Sequence, residues 1–229
     1  MKFVNGWWFT DGEQHMIEYM ATIKENEYQP VHQREAVKHC TQFRTAVDIG
    51  AHIGLWSRHL VPKFERVIAF EPCAEFRECL VKNAPGIHTI QPVALGNEEA
   101  MVSLWVNPKH TAETRIDIVD RSALGIDPTN TGATQTIKDS KGTIPMHRLD
   151  SYGLLEVDFI KIDTEGFELE ILKGARDTLI NNDPVIIVEQ KPRYVRPEDG
   201  PQAAVKFLIH ELGYRVVGKV VDDWIMKKI

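Results

Sequence analysis

Cysteine and long apolar runs are both scarce in this 229-residue chain, and each shortage excludes a class of protein. Its three cysteines, Cys40, Cys73 and Cys79, show neither metal-binding nor redox spacing, and their odd number argues against a disulfide framework. No apolar run approaches the roughly 18 residues that cross a membrane, and the N-terminal residues lack the apolar core of a secretory signal. We therefore expect reduced thiols in a cytoplasmic protein without a membrane partner.

Positive charge is not in excess either. Lysine and arginine number 27 against 33 aspartates and glutamates, which gives a formal net charge of −6. Because nucleic-acid-binding proteins usually carry a basic patch, this balance disfavours a nucleic-acid partner. The hydrophobic share of 43% and the charged share of 26% are those of an ordinary globular protein. The length suits one large α/β domain.

Apolar, strand-like segments alternate with helix-length segments from Thr45 onward. The predicted strands are 45–49, 66–71, 89–94, 157–162 and 185–189, with an extra strand at 102–106. The predicted helices are 55–61, 73–83, 168–181 and 201–212, and a hairpin of 214–219 with 223–227 closes the chain. This alternation predicts an α/β fold, a Rossmann-like doubly wound and mostly parallel sheet with a final antiparallel strand.

Two stretches depart from the alternation. Residues 1–44 are predicted as an N-terminal helical segment of the same domain, with helices near 14–23 and 30–40, and 45–229 as the main domain. Within the main domain, 107–148 is polar, rich in turn residues and too long for a plain connection. Such segments are usually functional covers, so we predict a cover over the ligand crevice, with a surface loop as the alternative.

The most informative residues lie at the ends of the first two strands of the main domain. In 47–54 a buried strand that contains Asp48 runs into a glycine turn at Gly50, and in 67–72 the next strand ends at Glu71. Such strand ends lie side by side at the crevice where open parallel sheets bind ligands, and a carboxylate there can accept hydrogen bonds from both hydroxyls of a ribose. The pattern predicts a nucleoside-containing cofactor.

The spacing of the turn favours S-adenosylmethionine over a dinucleotide. Dinucleotide sites use G-x-G-x-x-G, whose second glycine makes room for a pyrophosphate. Here Ala51 and His52 lie between Gly50 and Gly54, and the acidic Asp48 precedes the turn. A carboxylate in that place attracts an ammonium group, directly or through water, and disfavours a phosphate. S-adenosylmethionine has an ammonium, a sulfonium and a ribose but no phosphate, and a nicotinamide-dependent oxidoreductase is the less favoured alternative.

A second informative block follows the strand at 157–162, which ends in acidic residues. Asp163 lies at the strand tip, where it is a candidate to contact the transferring methyl region, accept a proton or hold a metal. Glu165 and Glu168 lie near a helix start, where carboxylates also cap free N–H groups. A functional role and a capping role are therefore both open for these two glutamates.

Lys161 and Glu189 belong to the same predicted edge of the sheet. A buried lysine needs a carboxylate partner, and Asp163 or Glu189 is expected to supply it for Lys161. Glu189 ends the neighbouring strand, so its carboxylate joins Asp163 and Glu165 at the crevice. Oxygen donors grouped in this way would suit a hard divalent cation, although a metal is not the favoured interpretation.

Several segments of the chain carry motifs of one enzyme family. They are 48–57, 70–72, 93–96, 148–150 and 158–168, together with Asn130-x-Gly132. These segments resemble the FkbM family of class I methyltransferases, and Lys-Ile-Asp-x-Glu-Gly-x-Glu is their most specific part. The resemblance covers roughly 45–189, which leaves 1–44 as a candidate location for substrate specificity. Where the family commonly has asparagine, this chain has His52. Protonation of His52 would make cofactor binding pH-sensitive. The alternative is that the histidine is a simple polar replacement.

The resemblance implies S-adenosylmethionine at the first-strand turn and methyl transfer, usually to a hydroxyl of a sugar or small natural product. The acceptor is then a small molecule or saccharide. The candidate cofactor-binding residues are Asp48, Gly50, Ala51, His52, Gly54, Glu71, Pro72 and Ala94. The candidate catalytic residues are Asp163, Glu165 and Glu189, because an alcohol acceptor benefits from a base as it loses its proton. A catalytically silent cofactor-binding protein is the alternative from another class.

Overall fold

The computed structural model describes residues 1–11, 13–23, 27–106, 114–117, 142–191 and 199–229. Its strands are β1 (Lys2–Val4), β2 (Trp7–Phe9), β3 (Thr45–Ile49), β4 (Arg66–Phe70), β5 (Thr89–Gln91), β6 (Ala94–Leu95), β7 (Ala100–Val106), β8 (Thr114–Asp117), β9 (Ile144–His147), β10 (Val157–Ile162), β11 (Val185–Glu189), β12 (Arg215–Val220) and β13 (Asp223–Lys227). Its helices are α1 (Gln14–Thr22), α2 (Pro30–Val37), α3 (Ser57–Leu60), α4 (Ala74–Asn83), α5 (Glu168–Lys173), α6 (Arg176–Asn182) and α7 (Ala203–Leu212), with a short 3₁₀ helix at Leu149–Tyr152.

A seven-stranded sheet in the order β12-β13-β11-β10-β3-β4-β5 forms the core. Strands β11, β10, β3, β4 and β5 run parallel to one another, and β13 is antiparallel to both of its neighbours. From β3 the chain builds outward to β4 on one side and later returns to place β10 on the other. The predicted fold class is confirmed, and the order of the strands reverses between β3 and β10, where sheets of this kind bind ligands.

The sheet is covered on both faces, which explains why its central strands are apolar along their whole length. Every residue of β3 and of β11 is buried. On one face Ile160 and Ile162 pack with Leu208 of α7. On the other face Phe159 packs with Trp56, and their ring centroids are 6.2 Å apart. Buried side chains on both faces hold the carboxyl ends of the central strands in fixed positions.

The N-terminal segment differs from the prediction in one element. It contains the two predicted helices, α1 and α2, but begins with a hairpin of β1 and β2. Asn5 and Gly6 form the turn with φ values of 49° and 78°, and an Asn-Gly pair between strand-forming residues is the strongest short-range signal for such a hairpin. Trp7 and Phe9 point into the core. The aromatic start is therefore a strand pair, and a purely helical segment was too simple an expectation.

The predicted strand at 89–94 is divided in two. Pro92, which has no N–H to donate, separates β5 from β6. β5 is the edge of the main sheet, whereas β6 belongs to a second sheet in the order β6-β9-β7-β8. The extra strand predicted at 102–106 is present as the longer β7 in this second sheet.

The predicted helix at 168–181 is also divided, into α5 and α6. Gly174 lies between them, and a Cβ atom on Gly174 would be 1.9 Å from the carbonyl oxygen of Gly96. The two backbones approach so closely that only glycine fits at this position, and α5 ends there. The helix predicted at 55–61 is reduced to α3, because 52–56 form turns.

The predicted cover at 107–148 lies largely outside the described residues. Within it the structure describes β8, β9 and residues 142–143, and both strands belong to the second sheet. Residues 107–113 and 118–141, with Asn130 and Gly132, are outside the described part, so the cover stays a prediction. Among the described residues, no helix has the length and apolar character needed to cross a membrane.

Candidate active site

The turn after β3 is shaped by its glycines and by the strand beside it. Gly50, His52 and Gly54 have positive φ values of 73°, 53° and 91°. A Cβ atom on Gly50 would lie 2.1 Å from the backbone carbonyl oxygen of Asp163. Only glycine fits there without moving one of the two backbones, and the turn therefore lies directly against the tip of β10.

The backbone amides of this turn are already hydrogen-bonded inside the protein. The amides of Gly50 and Ala51 both donate to the carbonyl oxygen of Phe70, at 3.0 and 3.2 Å. The amide of His52 donates to Oε2 of Glu71 at 2.7 Å. A pyrophosphate site needs such amides free, and it also needs a helix that starts at the turn, whereas α3 begins later. The turn is therefore poorly suited to a dinucleotide, as its spacing predicted.

Glu71 lies at the end of β4 with 4% of its surface exposed. One carboxylate oxygen accepts the amide of His52 and the other accepts the amide of Cys73, at 2.8 Å. Arg77 donates to the carbonyl oxygens of Glu71 and Pro72, at 2.9 and 2.6 Å, which fixes the backbone beyond the strand. Burial raises the pKa of the Glu71 carboxyl. Each oxygen has a second lone pair, so the group can still accept hydrogen bonds from a ligand.

Asp48 lies beneath the turn and is fully buried. Its Oδ2 accepts a hydrogen bond from the hydroxyl of Ser57 at 2.6 Å, and its Oδ1 is 3.4 Å from the ammonium of Lys161. These contacts tie β3 to α3 and to β10. Asp48 therefore supports the turn from inside, while the predicted contact between its carboxylate and a ligand ammonium stays a prediction.

Lys161 has the carboxylate partner that its burial requires. Its ammonium donates to the carbonyl oxygen of Gly50 at 2.7 Å and lies 3.9 Å from Oδ2 of Asp163. Burial alone would lower the pKa of Lys161, but the charges of Asp48 and Asp163 outweigh it and raise the pKa. The expected partner Asp163 is confirmed, and Asp48 is a second, closer partner. Glu189 acts on Lys161 only through its charge.

The three predicted catalytic carboxylates come together at the tips of β10 and β11. Asp163, Glu165 and Glu189 each offer an oxygen within 4.8 Å of the others. The ammonium of Lys191 lies 2.8 Å from Oε2 of Glu189 and 3.4 Å from Oε1 of Glu165. We call this group of four side chains the acidic cluster. The cluster contains a cation of its own, Lys191. Sequence reasoning missed this residue, although it follows Glu189 by only two positions.

The three carboxyl groups of the acidic cluster differ in the direction in which their pKa values are shifted. Burial and the Asp163 charge raise the pKa of Glu189 to about 10, and the same causes raise that of Glu165 to about 7. Burial opposes ionisation of Asp163 too, yet Lys161, Lys191 and a hydrogen bond from Glu189 lower its pKa. The surroundings therefore favour ionisation of Asp163 and oppose ionisation of Glu165 and Glu189. The side chain of Asp163 is 29% exposed and faces the crevice edge.

Comparison with known proteins identifies the family of this chain. Residues 48–216 match the model of the methyltransferase FkbM domain, which is most of the chain. The chain belongs to the FkbM methyltransferase family. It is 26% identical over 195 residues to methyltransferase 1 of Beauveria bassiana, covering 78% of this chain and 74% of that protein. It is 23% identical over 198 residues to methyltransferase sdnD of Sordaria araneosa, covering 74% and 73%.

A solved structure shares the fold of this FkbM methyltransferase. The crystal structure of methyltransferase FkbM from Methylobacillus flagellatus KT is 18% identical, with a TM-score of 0.50. The match covers 81% of this chain but 43% of that one, so the chain spans less than half the length of the crystallised protein. All the site residues predicted from sequence lie within the matched range 48–216, and residues 1–47 precede it.

Glu168 and Glu165 have different roles in this FkbM methyltransferase. Oε1 of Glu168 accepts the amides of Thr164 and Gly166, both at 3.0 Å, and its Oε2 accepts the side-chain amide of Gln190 at 3.3 Å. Glu168 therefore binds amides of the loop before α5 and organises that loop, whereas the predicted role was to cap the free N–H groups at the helix start. Glu165 has a positive φ of 55° and its carboxylate contacts Lys191 instead.

Ala94 lies away from the main sheet. It pairs with Met146 in the second sheet, and 2% of its surface is exposed. Its side chain fills the core next to Leu95 and Val102. A contact between Ala94 and a cofactor therefore stays a prediction of the motif.

The N-terminal segment brings titratable side chains to the site that sequence reasoning missed. Burial and the charges of Asp163 and Glu189 raise the pKa of the Tyr28 phenol, which therefore lies within electrostatic range of the acidic cluster. Glu13 lies 3.5 Å from the imidazole of His52 in the turn. Neither Glu13 nor Tyr28 belongs to a motif, and only the folded chain shows that they approach the site.

Proposed function

We propose that this methyltransferase uses S-adenosylmethionine to methylate a hydroxyl group of a sugar or small metabolite. The observation that carries the proposal is the close approach of Gly50 to the backbone of Asp163. This approach joins the turn, where a cofactor is expected, to the acidic cluster within one edge of the sheet. A methyl donor and a proton acceptor are then neighbours, as transfer to a hydroxyl requires.

The residues at the turn fit an adenosyl group. The amides of His52 and Cys73 each donate to one oxygen of the Glu71 carboxylate and so fix its orientation. A carboxylate held in this way suits the two hydroxyls of a ribose. The amides of Gly50 and Ala51 are occupied, which suits a ligand without a pyrophosphate. Bound at this turn, S-adenosylmethionine supplies a methyl group on a sulfonium, which is a reactive leaving group.

The acidic cluster supplies the proton chemistry. Asp163 is the member that its surroundings keep ionised, so it accepts the hydrogen bond of the acceptor hydroxyl and orients its oxygen. The cofactor would supply the methyl group, and Glu165 would take up the proton that the acceptor hydroxyl loses. Glu165 has a pKa of about 7, which is well matched to receiving a proton near neutral pH.

We propose that the reaction needs no divalent metal. The carboxylates of Asp163, Glu165 and Glu189 are close enough to hold one cation. Lys191, however, lies among them and contacts Glu165 and Glu189, which supplies the positive charge that a metal would bring. A magnesium ion at this position would have to displace the ammonium of Lys191 from its contacts with Glu165 and Glu189.

An acceptor screen with radiolabelled S-adenosylmethionine tests the proposal. Sugars, hydroxylated small molecules and their O-methylated counterparts are incubated with the protein, each with and without EDTA. We expect labelling of a free hydroxyl that survives EDTA and is absent from the counterpart whose hydroxyl is already methylated. Labelling only at nitrogen or carbon would contradict the hydroxyl acceptor, and loss of labelling in EDTA with recovery in magnesium would contradict the metal-free mechanism. Cofactor binding without labelling of any acceptor would favour a catalytically silent protein.

A further inference from the structure

A buried carboxylate from the N-terminal segment faces the turn. Glu13 precedes α1, is 1% exposed, and neither of its carboxylate oxygens has a hydrogen-bond partner among the described residues. A carboxylate in such surroundings is costly to bury unless a donor or a positive charge compensates it. His52 lies within reach of Glu13. Its Nε2 is 3.5 Å from Oε1 of Glu13 and has no hydrogen-bond partner in the part of the chain that the structure describes.

His52 is held from three directions. Its amide donates to Glu71, its ring packs on Phe76 with the centroids 4.0 Å apart, and its Nε2 faces Glu13. Its backbone is in the left-handed region, with φ of 53°, a conformation that needs support from neighbouring groups. Because the same residue binds Glu71 through its amide, the placement of the His52 side chain and that of the Glu71 carboxylate are linked.

We propose that Glu13 is a positioning residue: its carboxylate holds His52, and through it the turn and Glu71, in the arrangement that receives the adenosyl cofactor. The inference rests on the proposed function, because Glu71 has a ribose to bind only if the cofactor is S-adenosylmethionine. Glu13 lies outside the range that matches the family model. It thereby makes the N-terminal segment part of the cofactor site.

The charges around His52 determine how this contact depends on pH. Burial lowers the pKa of His52, Glu13 and Glu71 raise it, and Lys161 lowers it, with a net pKa above the usual 6.5. The imidazolium that pairs with Glu13 is therefore fully formed below pH 6.5 and is lost as pH rises through the higher pKa of His52 in the folded protein. Cofactor affinity should fall across the same interval.

The experiment combines NMR and calorimetry on the full chain. The pKa of His52 is measured from its ring resonances, and the affinity for S-adenosylhomocysteine is measured from about pH 5.5 to 8.5. Glu13→Gln keeps the shape and removes the charge. Asp11→Asn is the matched control, since Asp11 is an exposed carboxylate on the same segment, 75% exposed in its side chain. Thermal unfolding checks that both variants are folded.

We expect Glu13→Gln to lower the pKa of His52, weaken binding at pH 6 by roughly five- to tenfold and flatten the pH dependence. Asp11→Asn should change none of these. In a His52→Asn background, adding Glu13→Gln should have little further effect. If Glu13→Gln folds poorly, His52→Asn alone tests the same contact, because it removes the titrating partner of Glu13 and should flatten the pH dependence of binding. An unchanged His52 pKa and binding profile in Glu13→Gln would overturn the inference. If the unmodified protein binds no S-adenosylhomocysteine at any pH, the proposed function fails, whereas the His52 pKa still reports on the contact.

Discussion

The backbone carbonyl oxygen of Asp163 lies where a side chain on Gly50 would begin, 2.1 Å from the position of its Cβ atom. The turn and the tip of β10 therefore depend on each other. A change that separates them should affect cofactor binding and methyl transfer together.

Gly50→Ala should be strongly destabilising. The new methyl group collides with backbone rather than with a movable side chain, and φ of 73° is unfavourable for alanine. We expect a loss of about 2 to 5 kcal/mol in the free energy of unfolding, measured by urea denaturation. Gly213→Ala is the matched control, since Gly213 has φ of 71° and nothing within 4 Å of its Cβ position. It should cost about 1 kcal/mol, and equal losses in both variants would contradict the close approach.

Asp163→Asn should abolish most turnover while leaving the cofactor bound. Losing the carboxylate that orients the acceptor hydroxyl should lower the rate by about 10²-fold or more, and the amide is nearly the same shape as the carboxylate. Single-turnover kinetics with the acceptor from the screen gives the rate, and calorimetry with S-adenosylhomocysteine gives the binding. Asp177→Asn, at an exposed position in the first turn of α6, is the control. Full turnover in Asp163→Asn would make Asp163 a structural residue.

The pH profile should identify Glu165. A group that receives a proton must be deprotonated first, so the rate should rise with pH through a value near 7, the pKa of Glu165. Glu165→Gln should remove this inflection. Lys191 lowers the pKa of Glu165, so Lys191→Met should move the inflection to higher pH. A profile whose inflection is the same in all three proteins would assign it to another group.

The strand ends of the site were predictable because they follow a simple physical pattern. Apolar strands ending in Gly50, Glu71, Asp163 and Glu189 indicate parallel strands, and the carboxyl ends of such strands meet at one edge. The N-terminal contribution was not predictable in this way. Glu13 meets His52 across 39 positions of sequence, and a single buried carboxylate has no periodicity that would mark it. The hairpin at Asn5 and Gly6 was predictable, because the Asn-Gly turn signal is present in the sequence. The prediction for this segment took account only of its aromatic residues.

Two predicted elements are each divided in the structure, for reasons that the sequence shows only in part. Pro92 is visible as a break, but the transfer of β6 to a second sheet depends on its pairing with β9, which is far along the chain. Gly174 lies inside the helix that was predicted at 168–181. A glycine is required there because the backbone of Gly96, just after β6, packs directly against it.

Calorimetric titration of S-adenosylhomocysteine measures cofactor binding without any acceptor. We expect the unmodified protein to bind it, and Glu71→Ala to lose about 1.5 to 3 kcal/mol of binding free energy, the usual cost of removing a charged hydrogen-bonding group. Glu75→Ala, an exposed position in the first turn of α4, should bind as the unmodified protein does. Binding of NADH but not of S-adenosylhomocysteine would contradict the account.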